Sequence, residues 1–270
     1  MGCVATILGC GSSAGVPRVA GGWGACDPNE PRNRRRRCSL LVEQRDGDAC
    51  TTVLVDTSPD LREQLLSQHV VWLDGVIMTH DHADHAHGID DLRPIAIHNR
   101  RRIAVYMSPD THGTIFARFR YCFETPEGSE YPPILDSHSI NPPDPIIVSG
   151  AGGDVVAAPF ELEHGETTAL GLRFGGLAYC CDVSAIPEAR IQYLAGLDVL
   201  IIDALRYTPH PSHFTVDDAL DWIDRLKPGR AILTNMHIDL DYRTLCRELP
   251  ANVEPAYDGM RIAFQGGKPV

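Results

Sequence analysis

The sequence predicts a layered α/β fold, and three observations carry that expectation. Short apolar runs rich in β-branched residues read as buried strands at 52–55, 75–78, 155–160, 197–202 and 230–233. Amphipathic stretches at 60–68, 187–194 and 216–226 interleave with them as helices, and mixed strands and helices pack as layers. The chain has 270 residues, 43% of them hydrophobic and 22% charged, enough to bury a substantial core without disulfide or metal staples.

Taken in order, the first strand begins near Val4 and runs into a glycine turn around Gly9 and Gly11. The strand at 52–55 ends at Asp56, and the strand at 75–78 runs directly into a histidine-rich segment. Residues 125–153 are rich in proline, glycine and serine and read as loops around one short strand. The helix at 216–226 has the clearest boundaries. Thr215 is its N-cap, Asp218 three residues later makes a near capping box, and Pro228-Gly229 stops it. With no internal repeat and no long linker, residues 1–270 are expected to form one domain.

Composition excludes several roles. The formal charge of −12 argues against a general nucleic-acid coat and against a stable nucleic-acid partner, because phosphate binding is dominated by counterion release on Lys and Arg. Nine cysteines, an odd number and scattered, form no disulfide framework, which points to a reducing compartment and a cytoplasmic location. No run of about eighteen apolar residues is present, so no membrane span is expected. The run Arg34-Arg35-Arg36-Arg37 stands out in so acidic a chain; surface guanidinium groups paired with carboxylates are its expected state.

The chemistry is concentrated in His80-Asp81-His82-Ala83-Asp84-His85 at a strand end. Burying Asp81 and Asp84 unpaired would cost several kcal/mol, so this segment is not ordinary core. In a local turn His80 and His82 face one way and Asp84 and His85 another, a pattern that two adjacent metal ions would use. Coordination then needs ligands from elsewhere. His164, Asp182, His237 and Asp56 each follow a predicted strand at its carboxyl end.

This ordered set resembles the metallo-β-lactamase superfamily over nearly the whole chain. The resemblance implies a four-layer αβ/βα sandwich with two sheets face to face and a dinuclear site at one edge. It implies that His80, His82 and His164 hold one metal, that Asp84, His85 and His237 hold the other, and that Asp182 bridges them. Asp56 would orient ligands from behind. The ions expected are two divalent cations, zinc or manganese, with iron also compatible.

Further residues resemble the PhnP-like phosphodiesterase branch: the glycine-rich opening from Leu8 to Pro17, the segment Ser212-His213-Phe214-Thr215 with Asp203 ahead of it, and the ending Tyr257-Asp258-Gly259-Met260. Val16-Pro17 stands where a dinucleotide-binding helix would begin, so the glycine loop is not read as that fingerprint. By the resemblance, His213 acts on the phosphate or leaving group, Asp84 and His213 are the catalytic candidates, and Asp203 supports them. The substrate expected is a small phosphorylated molecule, cyclic or linear and nucleotides included, and a homo-oligomer is compatible. A tRNA 3′-processing-type endonuclease, a thioester hydrolase and a non-catalytic metal-dependent nucleotide-binding module are the alternatives. Members of this branch often carry a structural zinc on clustered cysteines. Here Cys26 stands alone and Ile238-Asp239-Leu240 follows His237, so that zinc is expected to be absent.

Overall fold

The computed structural model describes residues 2–266. In chain order the elements are β1 (Gly2–Gly9), β2 (Ser39–Asp46), β3 (Ala49–Val55), α1 (Leu61–Ser67), β4 (Gly75–Ile77), α2 (Ala83–Ala86), α3 (Arg93–Asn99), β5 (Ile103–Met107), α4 (Pro109–Phe123) and β6 (Leu135–Ser139). Then follow β7 (Ile146–Gly150), β8 (Gly153–His164), β9 (Thr167–Phe174), β10 (Leu177–Cys180), β11 (Val199–Asp203), α5 (Val216–Leu226), β12 (Arg230–Thr234), α6 (Tyr242–Glu248), β13 (Val253–Pro255) and β14 (Arg261–Phe264).

The strands form two seven-stranded sheets, ordered β14-β1-β2-β3-β4-β5-β6 and β13-β12-β11-β10-β9-β8-β7. Side-chain alternation explains why they stack. Leu40, Val42, Val53, Val55 and Ile77 point into one core with Phe160, Leu162, Leu172 and Tyr179 of the opposite sheet. Their neighbours Leu41, Leu54, Val76 and Met78 point the other way, into a second core with Leu61, Ile89, Ile95 and Ile115. Val216, Ala219 and Ile223 of α5 and Leu245 of α6 are buried in the first core. The layers that the pattern predicted thus stack as the αβ/βα sandwich that the resemblance implied.

The capping box on α5 forms as expected: Asp218 N donates to Thr215 Oγ1 at 3.1 Å and Thr215 N to Asp218 Oδ2 at 2.9 Å. Two expectations differ. Residues 125–153 contain two strands rather than one, since β6 adds parallel to β5 and β7 pairs antiparallel with β8. Both are sheet-edge strands, and four of the five residues of β6 are exposed, so it lacks the apolar signal of a buried strand. The stretch at 187–194 winds as a 3-10 helix, Glu188–Leu194, not as an α-helix. The short α3 and α6, and the longer α4, gave no periodicity that singled them out.

Strands β3, β4 and β5 are parallel, as are β10, β11, β12 and β13, so their carboxyl ends gather along one edge of the sandwich. At the opening turn β1 runs against residues 36–37: a Cβ on Gly9 would lie 2.0 Å from the Arg37 carbonyl oxygen, so only glycine fits there. All nine cysteines are free thiols. Among the described residues no helix is long and apolar enough to cross a membrane.

Asp241 ties two distant loops together. Its Oδ1 accepts from Thr244 N at 2.9 Å as the N-cap of α6, and its Oδ2 accepts from Asn33 Nδ2 at 2.7 Å and Asp27 N at 3.1 Å. Burial alone would raise this carboxyl, but the donors from Asn33, Asp27 and Thr244 outweigh it and hold it at about 2. Asp241→Ala is expected to cost about 1–2 kcal/mol in urea unfolding at neutral pH. Because the folded carboxyl is depressed, its contribution is full above its ordinary value of 3.8 and is lost as pH falls through about 2. The gap between the wild type and the variant should therefore close across that interval and stay constant above it.

Candidate metal centre

Asp56 organises the site from below. It directly follows β3, is 0% exposed, and adopts a left-handed backbone with φ of 62°. Its Oδ1 accepts from Thr79 N at 2.8 Å, and its Oδ2 accepts from Thr79 Oγ1 at 2.8 Å and from His85 Nδ1 at 2.8 Å. Since the Thr79 hydroxyl gives its proton to Asp56, its oxygen is free to accept from His80 Nδ1 at 3.0 Å. One carboxylate therefore anchors Nδ1 of two imidazoles, directly for His85 and through Thr79 for His80, and leaves both Nε2 atoms turned inward. Thr79 escaped sequence reasoning because a single threonine at a strand end carries no signal of its own.

His164, at the end of β8, donates from Nδ1 to the Ser212 carbonyl at 2.7 Å, which frees its Nε2. That nitrogen lies 3.1 Å from His82 Nδ1. Asp182, just after β10, spreads its two oxygens between the halves of the cluster. Its Oδ2 stands 3.7 Å from His80 Nε2 and 3.4 Å from His164 Nε2, while its Oδ1 stands 3.2 Å from His85 Nε2. Asp84 joins on the His85 side, with Oδ2 3.6 Å from His85 Nε2.

These atoms fit a cation. Ligand atoms of His80, His82, His164 and Asp182 all lie within 4.8 Å of one another. His80 Nε2 and His85 Nε2 are buried with no hydrogen-bond partner, a costly state for polar atoms unless something positive sits between them. Electrostatics agree. Burial and the neighbouring imidazoles hold His80 well below the ordinary histidine range. Burial would lower His85 too, but the carboxylates of Asp182, Asp56 and Asp84 raise it well above that range.

His213 stands beside this cluster, its ring centroid 4.7 Å from that of His164. Its Nδ1 is 2.7 Å from Asp203 Oδ2, which also accepts from Val183 N at 3.1 Å. Burial pushes the Asp203 carboxyl up to about 7 against the pull of His213. Burial would lower His213, but the Asp203 hydrogen bond and charge reverse that and raise it. Expected from the sequence as neighbours of the site, His213 and Asp203 form a locked pair with Nε2 left free.

One expected residue does not arrive. Among the described residues His237 makes no hydrogen bond or ion pair with the segment from His80 to His85 or with Asp182. Its backbone N donates to the Leu205 carbonyl at 2.9 Å, and its Nδ1 lies 3.1 Å from Asp239 Oδ1. The residue that reaches the cluster from β12 is Asn235, 1% exposed, with Nδ2 3.3 Å from Asp182 Oδ1 and 3.2 Å from His213 Nδ1. In an extended chain residues 235 and 237 would share a face, but Asn235 has φ of 61°, and the strand geometry that would carry the alternation onward ends there.

The arginine run divides. Arg36 pairs with Asp258 at 3.0 Å and Arg37 with Asp60 at 2.8 Å, as expected, and Arg34 lies over the Trp23 ring. Arg35 departs from the expectation. It is 2% exposed, with Nη2 donating to the Leu240 carbonyl at 2.7 Å and Nη1 to the His237 carbonyl at 3.4 Å. Cys26 Sγ faces the Ile238 and Leu240 carbonyls at 3.4 Å and lies 3.9 Å from the same guanidinium. Among the described residues no group of three potential metal ligands forms around Cys26, so Arg35 is the staple between these loops. A cavity of about 1000 Å³ lined by Arg32, Arg34, Arg35, Arg36 and Arg37 lies apart from the histidine cluster. A smaller one, about 690 Å³ and lined by Thr79, Asp81, Ser108 and Thr167, borders it.

Residues 51–238 match the beta-lactamase superfamily domain. A crystal structure of a diphosphatase from the PhnP family is 35% identical to the chain, covers 98% of both chains and superposes with a TM-score of 0.87. An octanoyltransferase of Porphyromonas gingivalis (strain ATCC BAA-308 / W83) is 34% identical over 259 residues, which are 94% of this chain but 50% of the relative, so the chain spans about half the length of that curated relative. Zn(2+)-bound PqqB from Methylobacterium extorquens shares the fold at 17% identity, with a TM-score of 0.74 over 96% of this chain and 99% of that one. The chain therefore belongs to the metallo-β-lactamase superfamily, within its PhnP-like branch of metal-dependent hydrolases.

Proposed function

We propose that the chain, folded as one domain, is a phosphodiesterase acting on small phosphorylated substrates such as cyclic or linear nucleotide and ribose phosphodiesters. His80, His82, His164 and Asp182 would hold one divalent cation, and Asp84, His85 and the shared Asp182 a second, with zinc, manganese or iron all suited to the donors. When bound, such cations supply positive charge to phosphoryl oxygens and acidify an attacking water. The 34%-identical octanoyltransferase and the 35%-identical diphosphatase carry names of different chemistry; the end-to-end match to the diphosphatase supports the phosphoryl reading.

The observation that carries the reading is the His213–Asp203 pair beside the cluster. Asp203 holds the His213 Nδ1 proton at 2.7 Å, which leaves Nε2 to give a proton to the departing oxygen. An alkoxide is a poor leaving group without that proton, whereas a thiolate, with a conjugate-acid pKa of about 8.5, departs far more easily. A built-in proton donor therefore favours phosphodiester hydrolysis over thioester hydrolysis. The remaining side chains position. Asp56 and Thr79 fix His80 and His85, and the Ser212 carbonyl fixes His164.

Two tests follow from these roles. His213→Ala should lower turnover of an alkyl phosphodiester by about 10²–10⁴-fold while barely slowing a nitrophenyl diester, whose leaving group needs no proton. Metal content, read by elemental analysis, should not change; equal losses on both substrates would remove the proton-donor role, and faster turnover of an acyl thioester would remove the substrate class. Asp56→Asn keeps the shape but weakens the acceptor for His85 and Thr79. It is expected to lower metal affinity by about 10–100-fold in equilibrium dialysis and, because a buried donor loses its acceptor, to lower the unfolding midpoint of the metal-free protein as well.

A further inference from the structure

The two halves of the cluster are not chemically equal. On one side three imidazoles, His80, His82 and His164, converge with Asp182 Oδ2. On the other side stand one imidazole, His85, and the carboxylates of Asp84 and Asp182. The strand that should close this second half, β12, delivers Asn235. Its amide nitrogen is turned toward Asp182 Oδ1 at 3.3 Å, the same oxygen that faces His85 at 3.2 Å. An amide N–H is a donor and does not ligate, and an amide oxygen turned inward would be a neutral, weaker ligand than an imidazole. His237 points elsewhere, with Nδ1 3.1 Å from Asp239 Oδ1 and its carbonyl accepting from Arg35.

We propose that the chain binds its two cations unequally: one firmly, on His80, His82, His164 and Asp182, and one loosely and exchangeably, on Asp84, His85 and Asp182, because Asn235 occupies the place of a closing imidazole. The loose position, richer in oxygen than nitrogen, discriminates less against manganese or magnesium than the firm one does. The firm position, with its three imidazoles, prefers zinc. This rests on reading the cluster as a two-ion site but not on the substrate class. Asn235 is a positioning residue here: its donor steadies the Asp182 oxygen that both halves share.

The test is metal binding by the full chain after stripping with chelator, read by equilibrium dialysis with zinc and with manganese and by elemental analysis after gel filtration in metal-free buffer. The wild type should retain one ion per chain and show a second, at least about tenfold weaker. Asn235→His should retain two ions, Asn235→Asp should tighten the second by adding a charged ligand, and His237→Ala should match the wild type. Two ions of indistinguishable affinity in the wild type would overturn the proposal. So would loss of an ion in His237→Ala, or failure of both Asn235 variants to raise occupancy. A chain that bound no ion would sink the two-ion reading itself. Unequal binding in a chain inert toward diesters would sink only the substrate assignment.

Discussion

The buried carboxylate of Asp56 is the constraint on which the site depends. Removing that charge from water costs several kcal/mol, and the cost is tolerable only because each donor is in place. Hydrogen bonds to a charged group are worth about 1.5–3 kcal/mol each, so the three from Thr79 N, Thr79 Oγ1 and His85 Nδ1 together offset it, and loss of any one would not be neutral. The same bonds orient His80 and His85 with their free nitrogens inward. Stability of the strand ends and readiness of the site for cations are thus one interaction seen twice.

The sandwich makes that arrangement possible by parallel pairing. In each sheet the strands that carry ligands run the same way, so β3, β4, β10 and β12 release their following residues at one edge. The alternating cores on the two faces of the first sheet fix the register, because a one-residue slip would turn Val53 and Val55 out of the inter-sheet core. His164 comes from an antiparallel strand, and it is the Ser212 carbonyl, on the loop leading to α5, that turns its ring inward. Folding energy is invested in apolar registry, and the polar edge inherits its precision.

The loops that close the edge are held by polar ties in which arginine is prominent. Asp258 accepts from Arg36 N at 2.8 Å and from Cys10 N at 3.3 Å, locking the glycine turn against the last residues before β14. Arg35 does the same for the loop after β12 by donating to two carbonyls. A basic run in an acidic chain is therefore largely internal architecture. It also holds the path taken after Asn235, the segment on which His237 lies.

The sequence by itself determined the layering of strands and helices and named the candidate ligands, because both depend on local patterns, while the sandwich and the pairing of ligands came from the resemblance. Strand alternation, the capping box at Thr215 and the compact segment from His80 to His85 announce themselves within a few residues. His164 and Asp182 were legible because each ends a strand. Only the tertiary structure decided which residue arrives from β12, since a left-handed φ at Asn235 ends the two-residue alternation that sequence reasoning assumes. Likewise the Ser212 carbonyl that turns His164 is a backbone group, carried by every residue type, and the burial of Arg35 depends on carbonyls more than two hundred residues away. Side chains declare their chemistry in sequence; the direction in which they point is settled by how the backbone leaves its last hydrogen bond.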